Sequence, residues 1–98
     1  MLVRIHELAV REFDEAIEWY DLQSKGLGKR FRKSVIEQIE KIKKNPKWYL
    51  TEETNVHKAY VPKFPYKILF TIEGEQSIVV WAIAHTHRKP SYWQSRTR

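Results

Sequence analysis

The stretch His85-Thr86-His87-Arg88-Lys89-Pro90-Ser91-Tyr92-Trp93-Gln94-Ser95-Arg96 holds the residue types best suited to chemistry in this chain. A histidine can take or give a proton, because an imidazole ordinarily titrates near working pH. His85 and His87, two residues apart, point to one side if the strand before them runs on. Arg88 follows at its end, and Pro90 then turns the chain away. His85 also reads as a structural cap of that strand. The same pair invites a metal reading, but two histidines need a third ligand. His6, His57 or an acid would have to supply it from afar, so neither a metal nor a cofactor is expected. The chain has no cysteine, which excludes thiol catalysis and Cys-ligated zinc.

These residues need elements to hold them. Residues 2–6 alternate weakly and read as a short strand. Ala9, Phe13, Ala16, Ile17 and Tyr20 fall at helical spacing, which predicts a helix over 8–24. Gly26 and Gly28 break it. A second helix is predicted over 28–44, with Phe31, Val35, Ile39 and Ile42 as its stripe and Asn45-Pro46 as its stop. The short connection makes the two an antiparallel hairpin. The period then changes. His57–Val61 is a candidate strand, ended by Pro62 and Pro65. In 66–72, Tyr66, Ile68, Phe70 and Ile72 share one face, and Lys67, Leu69 and Thr71 the other. Residues 77–84 are apolar almost throughout and are expected to form the central strand, with Trp81 in the core. Glu52-Glu53 and Glu73 with Glu75 are placed in loops. The fold class is α+β: an N-terminal strand, then a helical hairpin packed on a mainly antiparallel C-terminal sheet. Trp93 is read as pinning the tail to that sheet.

Ninety-eight residues make one domain, 1–98, able to bury roughly 60–70% of its unfolded surface without a staple. The net charge is +6, unevenly spread. Residues 1–24 carry two bases against six acids, a net of −4, and residues 25–49 carry nine bases against two acids, a net of +7. No acid occurs over 54–72 or after Gln76. Such a distribution presents a positive face, attractive to nucleic acid or to an acidic protein. The longest apolar run, Ile78–Ala84, is too short to span a bilayer. A soluble cytoplasmic protein, with no membrane partner, is expected.

Several separated patches together resemble the RelE/ParE superfamily, the toxins of bacterial type II toxin–antitoxin systems, also labelled plasmid stabilisation proteins. They are Phe13-Asp14-Glu15-Ala16-Ile17-Glu18-Trp19-Tyr20, Gly26-Leu27-Gly28 with Phe31, Asn45-Pro46, Phe64-Pro65-Tyr66-Lys67-Ile68, and His85-x-x-Arg88-x-Pro90-x-Tyr92-Trp93-x-x-Arg96. They run in the family's order over nearly the whole chain. The resemblance implies a helical hairpin on an antiparallel sheet and a cognate antitoxin as partner. For the target it implies either of two modes. RelE-like members cut mRNA in the ribosomal A site, and ParE-like members inhibit DNA gyrase. Other members are not toxic and only bind an antitoxin.

Carried over from the RelE-like nucleases, the basic and tail positions fall on Lys58, Lys67, Arg88 and Tyr92. Many relatives of this Phe-Pro-Tyr type have arginine where this chain has His57, and imidazole is not a bidentate fork. RNA cleavage through the 2′-hydroxyl needs a base, a proton donor and cations around the phosphate. His85 or His87 would move protons, Lys67 and Arg88 would stabilise charge, and Tyr92 would stack a base or hold a hydroxyl. Lys58, Lys63, Lys89 and Arg96 are read as RNA-binding. Lys29, Arg30, Arg32 and Lys33 on the second helix read as a solvated end or a phosphate track. The acids of the first helix read most simply as a solvated face, with Glu18 as the alternative acid for orienting an arginine. Ribosome-dependent mRNA cleavage is the leading expectation, because the histidines, Lys67 and Arg88 are expected to converge on one end of the sheet.

Overall fold

The computed structural model describes residues 1–89 and 91–97. Pro90, expected to turn the chain, and Arg98 lie outside the described residues. Strand β1 is Leu2–Ile5, helix α1 is Glu7–Gln23, helix α2 is Leu27–Lys44, and strands β2 to β5 are Thr51–Glu53, Val56–Tyr60, Tyr66–Glu73 and Ser77–His85. They form one five-stranded sheet in the order β1-β5-β4-β3-β2. Among the described residues only β1 runs parallel to its neighbour, β5; the β2–β3, β3–β4 and β4–β5 pairs are antiparallel.

Each helix forms where its apolar period says it should. On α2, Phe31, Val35, Ile39 and Ile42 are all buried, and the last turn carries Lys41, Lys43 and Lys44 against the negative helix end. His6 caps α1 by accepting from the Leu8 backbone N–H at 3.1 Å. Gly26 connects the helices at φ 86°, a left-handed conformation that favours glycine. At Gly28 a Cβ would collide with the Ile17 carbonyl oxygen, so the helices approach through a missing side chain. The Gly28 N–H donates to Asp21 Oδ1 at 2.8 Å, which locks the crossing.

The sheet has two buried faces. Ile68, Phe70, Ile78, Val80 and Ile83 pack under the helices. Val56, Leu69, Ala82 and Ala84 form a second, smaller cluster on the other face, closed by Trp93 from the C-terminal tail. Trp93 is 2% exposed and pins the tail to the sheet, as its sequence position suggested. No helix among the described residues is long and apolar enough to cross a membrane.

Four expectations are corrected by this fold. Glu52 and Glu53 lie in β2 rather than in a loop, so four strands follow the helices rather than three. The centre of the sheet is β4, and β5 sits between it and β1. Trp81 is half-buried rather than core, because it is the extra residue of a β-bulge: Leu69 pairs with Ala82, and Phe70 with Val80. The bulge turns the Trp81 indole toward Thr71, whose Oγ1 accepts from Nε1 at 2.8 Å. It also shifts the phase of β5, so that Val80 and Ile83, three apart, both join the helix-side core.

Candidate functional site

Parallel pairing of β1 with β5 stops at Ile5 opposite Val80. Beyond that point β5 would present a bare edge of backbone donors and acceptors. Two side chains cover it. Glu12, on α1, accepts from the Ile83 N–H at 3.1 Å through Oε1. Arg96, in the tail, donates to the Trp81 carbonyl at 2.9 Å. The two then bond each other, Arg96 Nη1 to Glu12 Oε1 at 3.0 Å and Nη2 to Oε2 at 2.8 Å. This is a bidentate, charge-assisted pair. Tyr92 completes the hub, its hydroxyl donating to Glu12 Oε2 at 2.7 Å. Burial and the hydrogen bond to Glu12 push the Tyr92 phenol far above its ordinary value, with the Glu12 charge adding and both arginines opposing. The Glu12 hydrogen bond likewise raises the Arg96 guanidinium against burial.

Arg88 stands beside this hub. Its Nη1 lies 4.0 Å from Glu12 Oε2 with a side chain that is 55% exposed. Its guanidinium sits 4.1 Å from the Tyr92 ring centroid, in cation–π range. Arg88, His85 and Tyr66 line one cleft with Glu12, Glu15 and Trp19, of about 250 Å³. His85 pairs with Tyr66 across the β4–β5 ladder, and their rings meet edge to face at 5.2 Å. His87 follows the end of β5, its N–H donating to His85 Nδ1 at 3.1 Å. Burial, and secondarily the Glu12 charge, raise the Tyr66 phenol, opposed by Arg88.

Lys67 is elsewhere. It pairs with Ala84, while His85 pairs with Tyr66. Neighbouring residues on a strand point to opposite faces, so Lys67 and His85 stand on opposite sides of the sheet. Of the four residues expected to converge, His85 and Arg88 share the cleft and the His87 ring lies 5.2 Å from that of His85, while Lys67 does not join them. Lys67 Nζ binds Glu52 Oε2 at 2.7 Å, and Lys58 Nζ lies 3.5 Å from the other oxygen. Burial opposes the Glu52 charge, but the Lys67 hydrogen bond and both lysine charges outweigh it, and the carboxyl lies below its ordinary value.

The remaining sequence candidates scatter. Lys63, at φ 69°, lies beside Leu27, Arg30 and Lys33 at the α2 start, away from Lys67. Lys89 is exposed in the turn after β5. Arg96 has a side chain that is 9% exposed and fully engaged by Glu12, not presented to solvent as an RNA-binding cation. Glu12, rather than Glu18, is the acid that orients an arginine. His57 bonds the Tyr49 carbonyl through Nδ1 at 2.8 Å and stacks on Phe70. Among the described residues, no group of three or more His, Cys, Asp or Glu side chains is placed to hold a metal. The sequence reading missed Glu12 and Glu52. The one signal for Glu12 was its acid character on the inner side of the α1 stripe, one residue before Phe13.

Comparisons with known proteins fit this architecture. Residues 3–90 match the family model described as ParE toxin of type II toxin–antitoxin system, parDE. A search of curated proteins gives no match. The fold is similar to a chain of the chromosomal ParDE toxin–antitoxin system from P. aeruginosa, at TM-score 0.77 and 14% identity, covering 89% of this chain and 97% of that one. It is also similar to the isolated E. coli RelE toxin, at TM-score 0.65 and 15% identity, covering 99% and 96%. Both likenesses speak for the fold, and the family model spans nearly the whole sequence. The chain belongs to the ParE toxin family of type II toxin–antitoxin systems.

Proposed function

We propose that this toxin arrests growth by binding a protein target, the gyrase-inhibiting one of the two modes that the resemblance implies, and that it does not itself cut RNA. The observation that carries this reading is the placement of Lys67 and His85 on opposite sheet faces. Cleavage needs the proton-moving group and the charge-stabilising cations within reach of one phosphate. A side-chain adjustment cannot bring them together, because changing face requires a register slip of the whole strand. Two further features point the same way. Lys67 and Lys58 already share the Glu52 carboxylate, so a phosphate would have to displace an internal anion. The cleft holding His85 and Arg88 is also lined by Glu15, whose charge repels a phosphate, and the Glu12 carboxylate there is already taken by Arg96. An antitoxin protein neutralises the toxin, as its family implies.

The test runs two assays on the purified toxin. DNA gyrase supercoiling should be blocked in proportion to toxin concentration. In a translating extract, mRNA ends should be unchanged. New mRNA ends with unimpaired supercoiling would reverse the assignment and restore the nuclease reading.

A further inference from the structure

The most exposed large apolar side chains include Trp48, at 80%, Leu50, at 77%, and Tyr60, at 56%. They do not lie singly. All three line one groove of about 460 Å³ between the C-terminal half of α2 and the outer edge of β3. Isolated surface hydrophobes are ordinary, but a contiguous patch with a polar rim marks a contact surface. Tryptophan and tyrosine are the residue types that anchor protein interfaces.

The edge of the sheet explains why the groove is there. Strand β2 is three residues long and joins β3 only at Val56 and His57. The Lys58 N–H still reaches the Leu50 carbonyl, at 2.9 Å. At Tyr60 the carbonyl is taken by a side chain instead, Gln38 Nε2 donating at 2.8 Å. The chain over 46–50 therefore leaves the edge and carries Trp48 and Leu50 outward, opening a trough floored by Ala59.

Charge selects the occupant. The charged residues lining the groove are Lys41 and Lys58, with no acid among the described lining residues; Lys58 is paired with Glu52 at 3.5 Å, which leaves Lys41 to meet an incoming acid. A second exposed apolar pair, Trp19 and Leu22 on α1, sits instead beside Glu15 and Glu18. The two surfaces thus offer opposite fields to an incoming chain, and only the α2–β3 groove is complementary to an acidic one. We infer that this groove docks the cognate antitoxin, through an amphipathic segment with apolar anchors for the Trp48–Leu50–Tyr60 wall and an Asp or Glu facing Lys41. The inference rests on family membership for the partner's existence and on the groove for its location. The groove shares no lining residue with the His85–Arg88 cleft, so the proposal assigns neutralisation and toxicity to separable surfaces.

The experiment uses full-length toxin and the full-length antitoxin encoded beside it. The groove variants are the pair Trp48→Ser with Leu50→Ser, and Lys41→Glu. The control is Trp19→Ser with Leu22→Ser on the acidic face. All substituted side chains are exposed, so thermal melts should match the unsubstituted protein. Antitoxin affinity should fall about thirtyfold or more in the serine pair, as for a buried aromatic anchor. It should fall in Lys41→Glu most at low salt, where the lost attraction is least screened. The control should bind unchanged. In cells, the groove variants should still arrest growth when expressed alone and should escape rescue by the antitoxin.

Equal affinity of the groove variants and the unsubstituted toxin would overturn the proposal. So would loss of binding in the α1 control alone. If the groove variants lose toxicity yet still bind antitoxin, the groove belongs to the target. If they convert a toxin dimer to monomer without altering antitoxin affinity, it belongs to a second copy. Failure of the unsubstituted toxin to bind the neighbouring antitoxin would overturn the partner itself, a result distinct from all of these.

Discussion

Arg96 lies 84 residues from Glu12 in the sequence and grips both of its carboxylate oxygens, at 3.0 and 2.8 Å. The pair stands where the next strand would lie. Glu12 takes the Ile83 N–H and Arg96 serves the Trp81 carbonyl, so two side chains replace the ladder that β1 leaves unfinished. The short parallel strand, the α1 acid and the C-terminal tail are thereby one mechanical unit.

Glu12→Ala should destabilise the fold by about 3 kcal/mol, the lower end for breaking a buried pair and stranding its partner. The Ile83 N–H and the Tyr92 hydroxyl lose an acceptor at the same time. Arg96→Ala should cost a similar amount. The double variant should cost clearly less than the two singles together, since neither charge is then left alone. Urea unfolding of the four proteins measures the coupling; additive losses would show that the two residues act independently.

Glu52 makes stability depend on acid. Its folded carboxyl lies below the ordinary glutamate value of about 4.3. The native state therefore holds the proton less tightly than the unfolded chain. The contribution is fully present above about pH 4.3 and disappears as pH falls through the lower folded value. Glu52→Gln should lose stability at neutral pH and show a flatter decline below pH 4.3. An unchanged acid limb, followed by denaturant midpoint from pH 7 to pH 3, would remove Glu52 from this role.

The two helices were legible in the sequence because their signal is local. Phe31, Val35, Ile39 and Ile42 announce one face within a few turns. Strand β2 was not, because Thr51-Glu52-Glu53 has neither alternation nor an apolar run. Glu52 makes sense only beside Lys58 and Lys67, 6 and 15 residues away, once β2, β3 and β4 are paired. The bulge at Trp81 was equally hidden, since an unbroken apolar run carries no phase. Arg96 looked like a surface cation because polar tails usually are solvated. Its partner Glu12 sat in a helix whose other acids are exposed. Lys67 and His85 were correctly placed on neighbouring strands, yet face depends on register, which hairpin logic alone leaves open.

Alkali should act on Tyr92. Its phenol is raised far above the ordinary value of about 10, first by burial and then by Glu12. Here the native state holds the proton more tightly than the unfolded chain. The stabilisation is fully present below about pH 10 and is lost as pH rises from there toward the folded value. Tyr92→Phe should start less stable and decline less steeply above pH 10. Tyr20 and Tyr66, raised by burial as well, contribute in the same direction, so the slope should shrink rather than vanish. A slope identical to the unsubstituted protein would place the alkaline transition elsewhere.

Trp93→Ala should cost about 3–5 kcal/mol, the range for a fully buried aromatic. The indole closes the cluster of Val56, Leu69, Ala82 and Ala84, and without it the outer sheet face opens to water. Dye binding to exposed apolar surface should rise, and the amide of Ile83 should exchange faster as the tail loosens. Unchanged dye binding and exchange would mean that Arg96 alone holds the tail.

Arg88 and Arg96 give the sharpest contrast, because both cations face the same two partners. Arg96 is nearly buried, bonded to Glu12 and 5.1 Å from the Tyr92 ring centroid. Arg88 is half exposed, at the limit of ion-pair distance from Glu12 and over the same ring. An exposed pair and an exposed cation–π contact are each worth about 1 kcal/mol at most. Arg88→Ala should therefore shift stability by no more than about 1 kcal/mol, while Arg96→Ala unfolds far more easily. Toxicity should divide the other way. Arg88 is free to meet a target beside the His85 cleft, so its loss should abolish growth arrest in a folded protein that still binds antitoxin. Arg96→Ala should retain activity per folded molecule. Growth arrest scored against soluble folded toxin separates the two, and full toxicity of Arg88→Ala would exclude Arg88 from the target-binding surface.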